Sequence, residues 1–130
     1  MSYHIYAQKV LATELAAIKS LSKKIAGAGM REAFKRSINL ILACKGRIVV
    51  SGMGKAGIIG QKISATLAST GTPSLFLHPA EAYHGDLGRV TRDDVVLALS
   101  NSGETEELIR LLPTLKKIGA RIISITSSAK

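Results

Sequence analysis

The sequence has no tryptophan, one cysteine and three prolines, and aromatic residues fill only 4% of its 130 positions. A lone cysteine, Cys44, excludes an internal disulfide and suits a reducing compartment. It lies in the apolar stretch Ile38 to Cys44 with no partner base nearby in sequence, the setting of a packed thiol rather than a nucleophile. No apolar run approaches the roughly 18 residues that a membrane span needs. The opening Met-Ser-Tyr-His-Ile-Tyr lacks the basic-then-apolar order of a secretory signal. A cytoplasmic location and no membrane partner are therefore expected. Acidic residues are scarce too, nine against eighteen Lys and Arg, for a formal charge of +9. The excess is confined to residues 1–65, which carry eleven Lys and Arg against Glu14 and Glu32. A basic half of this kind attracts nucleic acid, anionic surfaces or phosphorylated metabolites. Its charges are spread along predicted helices, as on solvated faces, so no nucleic-acid partner is expected.

What is present is a change of period. Leu11, Leu15, Ile18, Leu21 and Ile25 recur at spacings of three and four, an amphipathic helix. Gly27-Ala28-Gly29 breaks the chain, and a second helix puts Phe34, Ile38, Ile41 and Leu42 on one face before ending near Lys45-Gly46. From Arg47 short apolar, β-branched runs replace that pattern. Ile48-Val49-Val50, Ser74–Leu77, Asp94–Leu99 and Arg121–Ile125 read as strands. Helices are expected over residues 55–70 and from about Glu104 to Ile118, with Pro113 kinking or ending part of the latter. Strand, helix, strand, loop, strand, helix, strand indicates parallel βαβ units with right-handed crossovers. One domain, 1–130, is expected, with helices over 1–46 and a βαβ core over 47–130 that is incomplete at its end. The chain reaches the small-residue turn Thr126–Lys130 where a helix would normally begin.

In open parallel sheets ligands bind beyond the carboxyl ends of the strands, where helix N-termini present free amides. Two turns suit that role. Ser51-Gly52-Met53-Gly54-Lys55-Ala56-Gly57 follows the first strand, combining glycines that admit an anion with the compact charge of Lys55. Gly52-x-Gly54-x-x-Gly57 also matches the dinucleotide fingerprint. That reading needs an acidic residue ending the second strand, where this sequence has Phe76-Leu77-His78-Pro79, with Glu81 only beyond the proline. A Walker loop is absent. Ser100-Asn101-Ser102-Gly103-Glu104-Thr105 follows the third strand and offers three hydroxyls beside a helix start, a cradle for a phosphate monoester. An ordinary cap, with Ser102 as N-cap and Glu106 or Glu107 in the first turn, accounts for one hydroxyl and not three. Between strands two and three, His78, Glu81, His84 and Asp86 crowd into nine residues. Their spacing matches no helical zinc motif.

Gly52-Met53-Gly54-Lys55, Ala68-Ser69-Thr70-Gly71-Thr72-Pro73, the run His78 to Gly88 and Ser100 to Thr105 together resemble the sugar isomerase (SIS) domain. More narrowly they are similar to its arabinose 5-phosphate isomerase branch, over roughly residues 10–130. The resemblance implies an α/β three-layer, parallel-sheet, flavodoxin-like fold preceded by two amphipathic helices, here without its last strand and helices. It implies interconversion of D-arabinose 5-phosphate and D-ribulose 5-phosphate through an enediolate, supplying the Kdo precursor of lipopolysaccharide. No organic cofactor is required in that branch, and the assembly is a homo-oligomer, tetramer or dimer, with sites shared between subunits. By the same resemblance Ser100, Ser102 and Thr105 hold the phosphate, with Gly54, Asn101 and Gly103 in the same binding turns. Gly71, Thr72 and His84 line the sugar, Lys55, Glu107 and His84 serve catalysis, and His78 can take up an inhibitory zinc. Ala56 departs from the family's usual serine. The family's second Glu, its ring-opening His and the paired CBS domains would all follow Lys130. Two other readings stand beside this one. One is a non-catalytic sugar-phosphate sensor, opposed by the lack of a third helix before the first strand. The other is a structural subunit that completes a neighbour's site.

Overall fold

The computed structural model describes residues 2–128. Ala129 and Lys130, the end of the expected small-residue turn, lie outside the described residues. The chain divides into two compact units, Met1–Asn39 and Leu40–Lys130. The first is helical. Helix α1 spans Tyr3–Ala26, and Gly27 closes it by turning to an extended ψ of 142°. Lys23 and Lys24 stand in its last turn, where cations complement the helix dipole. The stripe that made this helix legible stays on the surface: Leu11, Leu15, Ile18 and Leu21 are 53–65% exposed.

Helix α2 spans Ala28–Leu42 and crosses into the second unit. Its last turn, with Leu40 and Ile41, and then Cys44 pack against Ile48, Val50 and Val95 of the sheet. The division of the chain therefore precedes the change of period at Arg47. Leu42, which the spacing grouped with Ile41, points outward. Cys44 is half-buried and donates its thiol to the Asp93 carbonyl at 3.4 Å, the structural role expected for it.

Four parallel strands form the sheet of the second unit: β1 Ile48–Gly52, β2 Ser74–Leu77, β3 Val95–Leu99 and β4 Arg121–Ile125, in the order β2-β1-β3-β4. Because side chains alternate across a strand, Val49, Leu77 and Val96 face one side while Ile48, Val50, Leu97 and Leu99 face the other. Helix α3, Gly54–Ser69, covers the second face with Ala56, Ile63 and Leu67. Helices α4, Pro79–Tyr83, and α5, Glu106–Ile118, cover the first with Ala82, Leu111 and Leu115. The result is the three-layer α/β architecture expected from the sequence. No helix among the described residues is long and apolar enough to cross a membrane.

Two local expectations need correcting. The segment between β2 and β3 is not simply loop. Pro79, with its φ already helical, opens α4, and a 3-10 turn follows at Asp86–Arg89. Pro113 neither ends nor divides α5, which runs on to Ile118. Pro113 and Ile109 both face solvent, where water can serve the carbonyl that the missing N–H leaves.

The amino edge of the sheet is fastened by one carboxylate. Asp94 is 1% exposed. Its Oδ1 accepts the Arg47 backbone N–H at 2.7 Å and its Oδ2 that of Thr91 at 2.7 Å. The Arg47 guanidinium lies 3.9 Å from Oδ1 and donates to the Arg89 carbonyl at 2.6 Å. The approach to β3 is thereby tied to the start of β1. Removing the buried carboxylate leaves two part-buried backbone donors without their acceptor, so Asp94→Ala should lower unfolding free energy by about 1–3 kcal/mol in urea titrations at neutral pH.

Candidate functional site

Strand order reverses between β1 and β3. From β1 the chain winds outward to β2, then returns to the other side of β1 to lay down β3 and β4. At such a switch point the flanking helices lie on opposite faces and leave a crevice over the carboxyl edge. Here α3 leaves from β1 and α5 from β3, so the crevice is bounded by Gly52–Gly57 and Ser100–Thr105. Both predicted turns stand where an α/β sheet binds ligands.

Neither helix start is capped. Met53 precedes α3 and Thr105 precedes α5, and neither side chain makes a capping hydrogen bond. The first-turn amides of both helices therefore lack side-chain caps over one crevice, with the positive ends of their dipoles. Ser102 is not the cap that its position suggested. Its hydroxyl accepts the Glu104 N–H at 3.1 Å, and α5 begins only at Glu106. The hydroxyls of Ser100 and Thr105 share a hydrogen bond at 2.7 Å, and Ser100 Oγ also accepts the Gly103 N–H at 3.0 Å. This pair spans the turn, while Asn101, Ser102 and Gly103 are exposed. Glu106 pairs with Arg110 one turn along, and Glu107 beside it is half-buried.

In the first turn, Gly57 lets α3 press against the end of β1. A Cβ there would lie 2.6 Å from the Gly52 carbonyl oxygen. Gly54 opens the helix and Lys55 follows it, exposed. No ion pair involving Lys55 occurs among the described residues. Lys55 thus sits in the first turn of an uncapped helix with no carboxylate of the described residues pairing its charge. Ala56 packs into the core and lines an open cleft of about 300 Å³ with Ile59, Ile63, Ser100 and Ile125.

The remaining candidates are less well gathered. His78 leaves β2 directly, since Leu77 is registered against Ser51. Ser51, buried at 1% exposure, donates its hydroxyl to the Leu77 carbonyl at 2.8 Å and fixes that exit. The Nδ1 of His78 is buried without a hydrogen-bond partner among the described residues, and its ring stands 6.4 Å from that of Phe76. A buried bare nitrogen is a competent ligand, yet no group of three or more His, Cys, Asp or Glu converges among the described residues. The described residues of one chain do not by themselves form a zinc cage. His84 ends α4 and is exposed. Among the described residues it makes no side-chain hydrogen bond to either turn.

Gly71 and Thr72 fall on the wrong side of the sheet for a site within one chain. They link the C-terminus of α3 to Ser74, which is registered against Ile48 at the start of β1. The turns lie at the opposite end of that five-residue strand, about 15 Å away at the usual rise. The sequence run Ala68 to Pro73 carries no indication of which sheet edge it will occupy. Sequence reasoning placed a small-residue turn at Thr126–Lys130 but gave it no role; over Thr126–Ser128 it is a third hydroxyl-bearing turn in use. Its hydroxyls meet the Asn101 carbonyl, and the only cue was a run of small polar residues after a strand.

A doubly wound parallel sheet with two uncapped helix starts at its switch point is the arrangement over which α/β domains bind their ligands. The chain belongs to the SIS domain family, whose model matches residues 41–130. It is 52% identical over 121 residues to arabinose 5-phosphate isomerase KpsF of Escherichia coli O6:H1, covering 93% of this chain and 36% of that protein. It is 54% identical over 122 residues to arabinose 5-phosphate isomerase KdsD of Pseudomonas aeruginosa, covering 94% and 36%. The chain thus spans about a third of the length of these relatives. Among solved structures it resembles E. coli CFT073 c3406 in complex with arabinose 5-phosphate, with a TM-score of 0.84 and 43% identity over 98% of this chain and 67% of that one.

The Gly57 contact gives a direct test of the first turn. Gly57→Ala should push α3 from the end of β1, lowering stability by about 1–3 kcal/mol. Thermal melts with and without inorganic phosphate should show a smaller phosphate-induced rise than in the parent.

Proposed function

We propose that this chain is the phosphosugar-binding domain of an arabinose 5-phosphate isomerase. The observation that carries the reading is the pair of uncapped helix starts at one switch point, with the Ser100–Thr105 hydroxyl pair before one and Lys55 in the first turn of the other. A phosphate monoester satisfies such an arrangement: a dianion bound by amides and hydroxyls, with a cation beside it. The similarity to KpsF and KdsD, and to a structure holding arabinose 5-phosphate, supports that sugar and ribulose 5-phosphate as the substrates.

Aldose–ketose isomerisation shifts a proton between C1 and C2 and develops an enediolate. Within this chain Ser100, Ser102 and Thr105, with the turn backbone running from Asn101 through Gly103, would anchor the phosphate. Gly54 lets the backbone approach, and Lys55 stabilises the developing oxyanion. Glu107 in the first turn of α5 orients or relays a proton, and His84 reaches the sugar. No organic cofactor has a part in this scheme. A zinc ion on His78 would draw its other ligands from beyond these residues and would act as an inhibitor rather than in catalysis.

The reading extends to a cytoplasmic homo-oligomer, dimer or tetramer, that supplies the Kdo precursor for lipopolysaccharide. Neither membrane nor nucleic acid is a partner. Two features support association: the exposed stripe of α1, and the location of Gly71 and Thr72, which could line the sugar only in another copy's crevice. Sedimentation should then give a species of two or more chains.

Calorimetric titration of the chain with arabinose 5-phosphate tests the binding claim. Lys55→Ala and Ser102→Ala should each weaken binding, by about tenfold or more for the charged group and less for the hydroxyl. Two variants that bind like the parent would remove these turns as the phosphate site.

A further inference from the structure

The turn after β3 does not stand alone. The Asn101 carbonyl accepts three donors from the exit of β4: the Ser127 N–H at 3.0 Å, the Ser127 hydroxyl at 2.5 Å and the Thr126 hydroxyl at 3.3 Å. Thr126 Oγ1 in turn accepts the Ser128 N–H at 3.3 Å, so the β4 exit is itself folded around the hydroxyl it presents. Gly103 completes the fit. It takes a φ of +75°, and a Cβ there would lie 2.9 Å from Thr126 Oγ1. The two exits therefore meet only because residue 103 has no side chain. Just before this contact, the Ser100 N–H bonds the Ile125 carbonyl at 3.1 Å, where the β3–β4 ladder runs out.

We infer that Thr126 and Ser127 are positioning residues for the phosphate turn: they clamp the Asn101 carbonyl and thereby aim the Ser102 amide. The inference rests on the reading of Ser100–Thr105 as that turn. The mechanism is the planarity of the peptide. In a trans unit the carbonyl oxygen of one residue and the N–H of the next lie in one plane and point in opposite directions. With the Asn101 carbonyl held toward β4, the Ser102 N–H is directed to the opposite side. That N–H makes no hydrogen bond among the described residues. Without the clamp, the exposed turn of Asn101, Ser102 and Gly103 keeps, among the described residues, the hydrogen bonds of the Ser100 and Ser102 hydroxyls. The peptide could then rotate, and an anion would have to order it on binding. Pre-organisation of this kind raises affinity by reducing the ordering required. Neither Thr126 nor Ser127 needs to touch the ligand.

The experiment uses the full chain, with the double variant Thr126→Val/Ser127→Ala, the conservative Ser127→Thr, and Asp94→Asn as a control that loosens the far edge of the sheet. Backbone amide exchange at Gly103 is measured without ligand, and arabinose 5-phosphate is titrated separately. Loss of two hydroxyl hydrogen bonds should accelerate Gly103 exchange about tenfold and weaken the sugar phosphate by a similar factor. Ser127→Thr should keep both near the parent values, and Asp94→Asn should lower the melting temperature while moving neither. Unchanged exchange in the double variant would overturn the clamp. Faster exchange with unchanged affinity would overturn its positioning role, as would an equal loss of affinity in Asp94→Asn. If the parent itself binds no sugar phosphate, the phosphate-turn reading falls and the positioning role with it, while the exchange result still reports the clamp.

Discussion

Two helices begin without caps at the same place in the sheet, and the candidate site depends on that coincidence. A helix start leaves backbone donors that some group must satisfy, and a serine or threonine side chain is the usual local solution. Here the residues before α3 and α5 do not provide it. The strand order β2-β1-β3-β4 then brings these two starts together, since β1 and β3 are neighbours although the chain between them builds a helix, a strand and a fourth helix. One uncapped start is a local irregularity. Two over one crevice, with a lysine in the first turn of one that no carboxylate among the described residues pairs, form an electropositive cradle.

The two edges of the sheet have separate tasks. At the amino edge, Asp94 takes two backbone donors and fixes where β1 and β3 begin. At the carboxyl edge the hydroxyls of Ser51, Ser100, Thr126 and Ser127 hold the turns to one another. The carboxyl edge remains polar and partly open, as recognition requires, because rigidity is supplied from the other end and from the tightly packed strands between. The close approach at Gly57 and the fit at Gly103 show how little space is left around the turns. A methyl group at either position would move the backbone of these turns.

Much of this was readable from the amino-acid order. The β-branched runs gave the strands, because a parallel strand buried on both faces must be apolar throughout. The two turns were legible because glycine and clustered hydroxyls are costly in a strand or helix interior and so mark its end. Boundaries were less legible. Ser102 looked like a cap because caps and phosphate cradles draw on the same residue types, and only the course of the backbone makes Thr105 the residue before α5. Pro113 looked like a break because sequence does not show that its side of α5 faces water.

The sequence by itself determined the kinds of element, their order and the chemistry carried at strand ends, since these follow from local periodicity and residue type. Only the tertiary structure decided which ends meet. It set Ala56 and Ser100 along one cleft, put Gly71 and Thr72 at the opposite edge, and joined Thr126 and Ser127 to the Asn101 carbonyl. The physical reason is that side-chain spacing encodes which face of an element is buried. Which strand lies beside which is fixed by crossover packing between residues far apart in the chain.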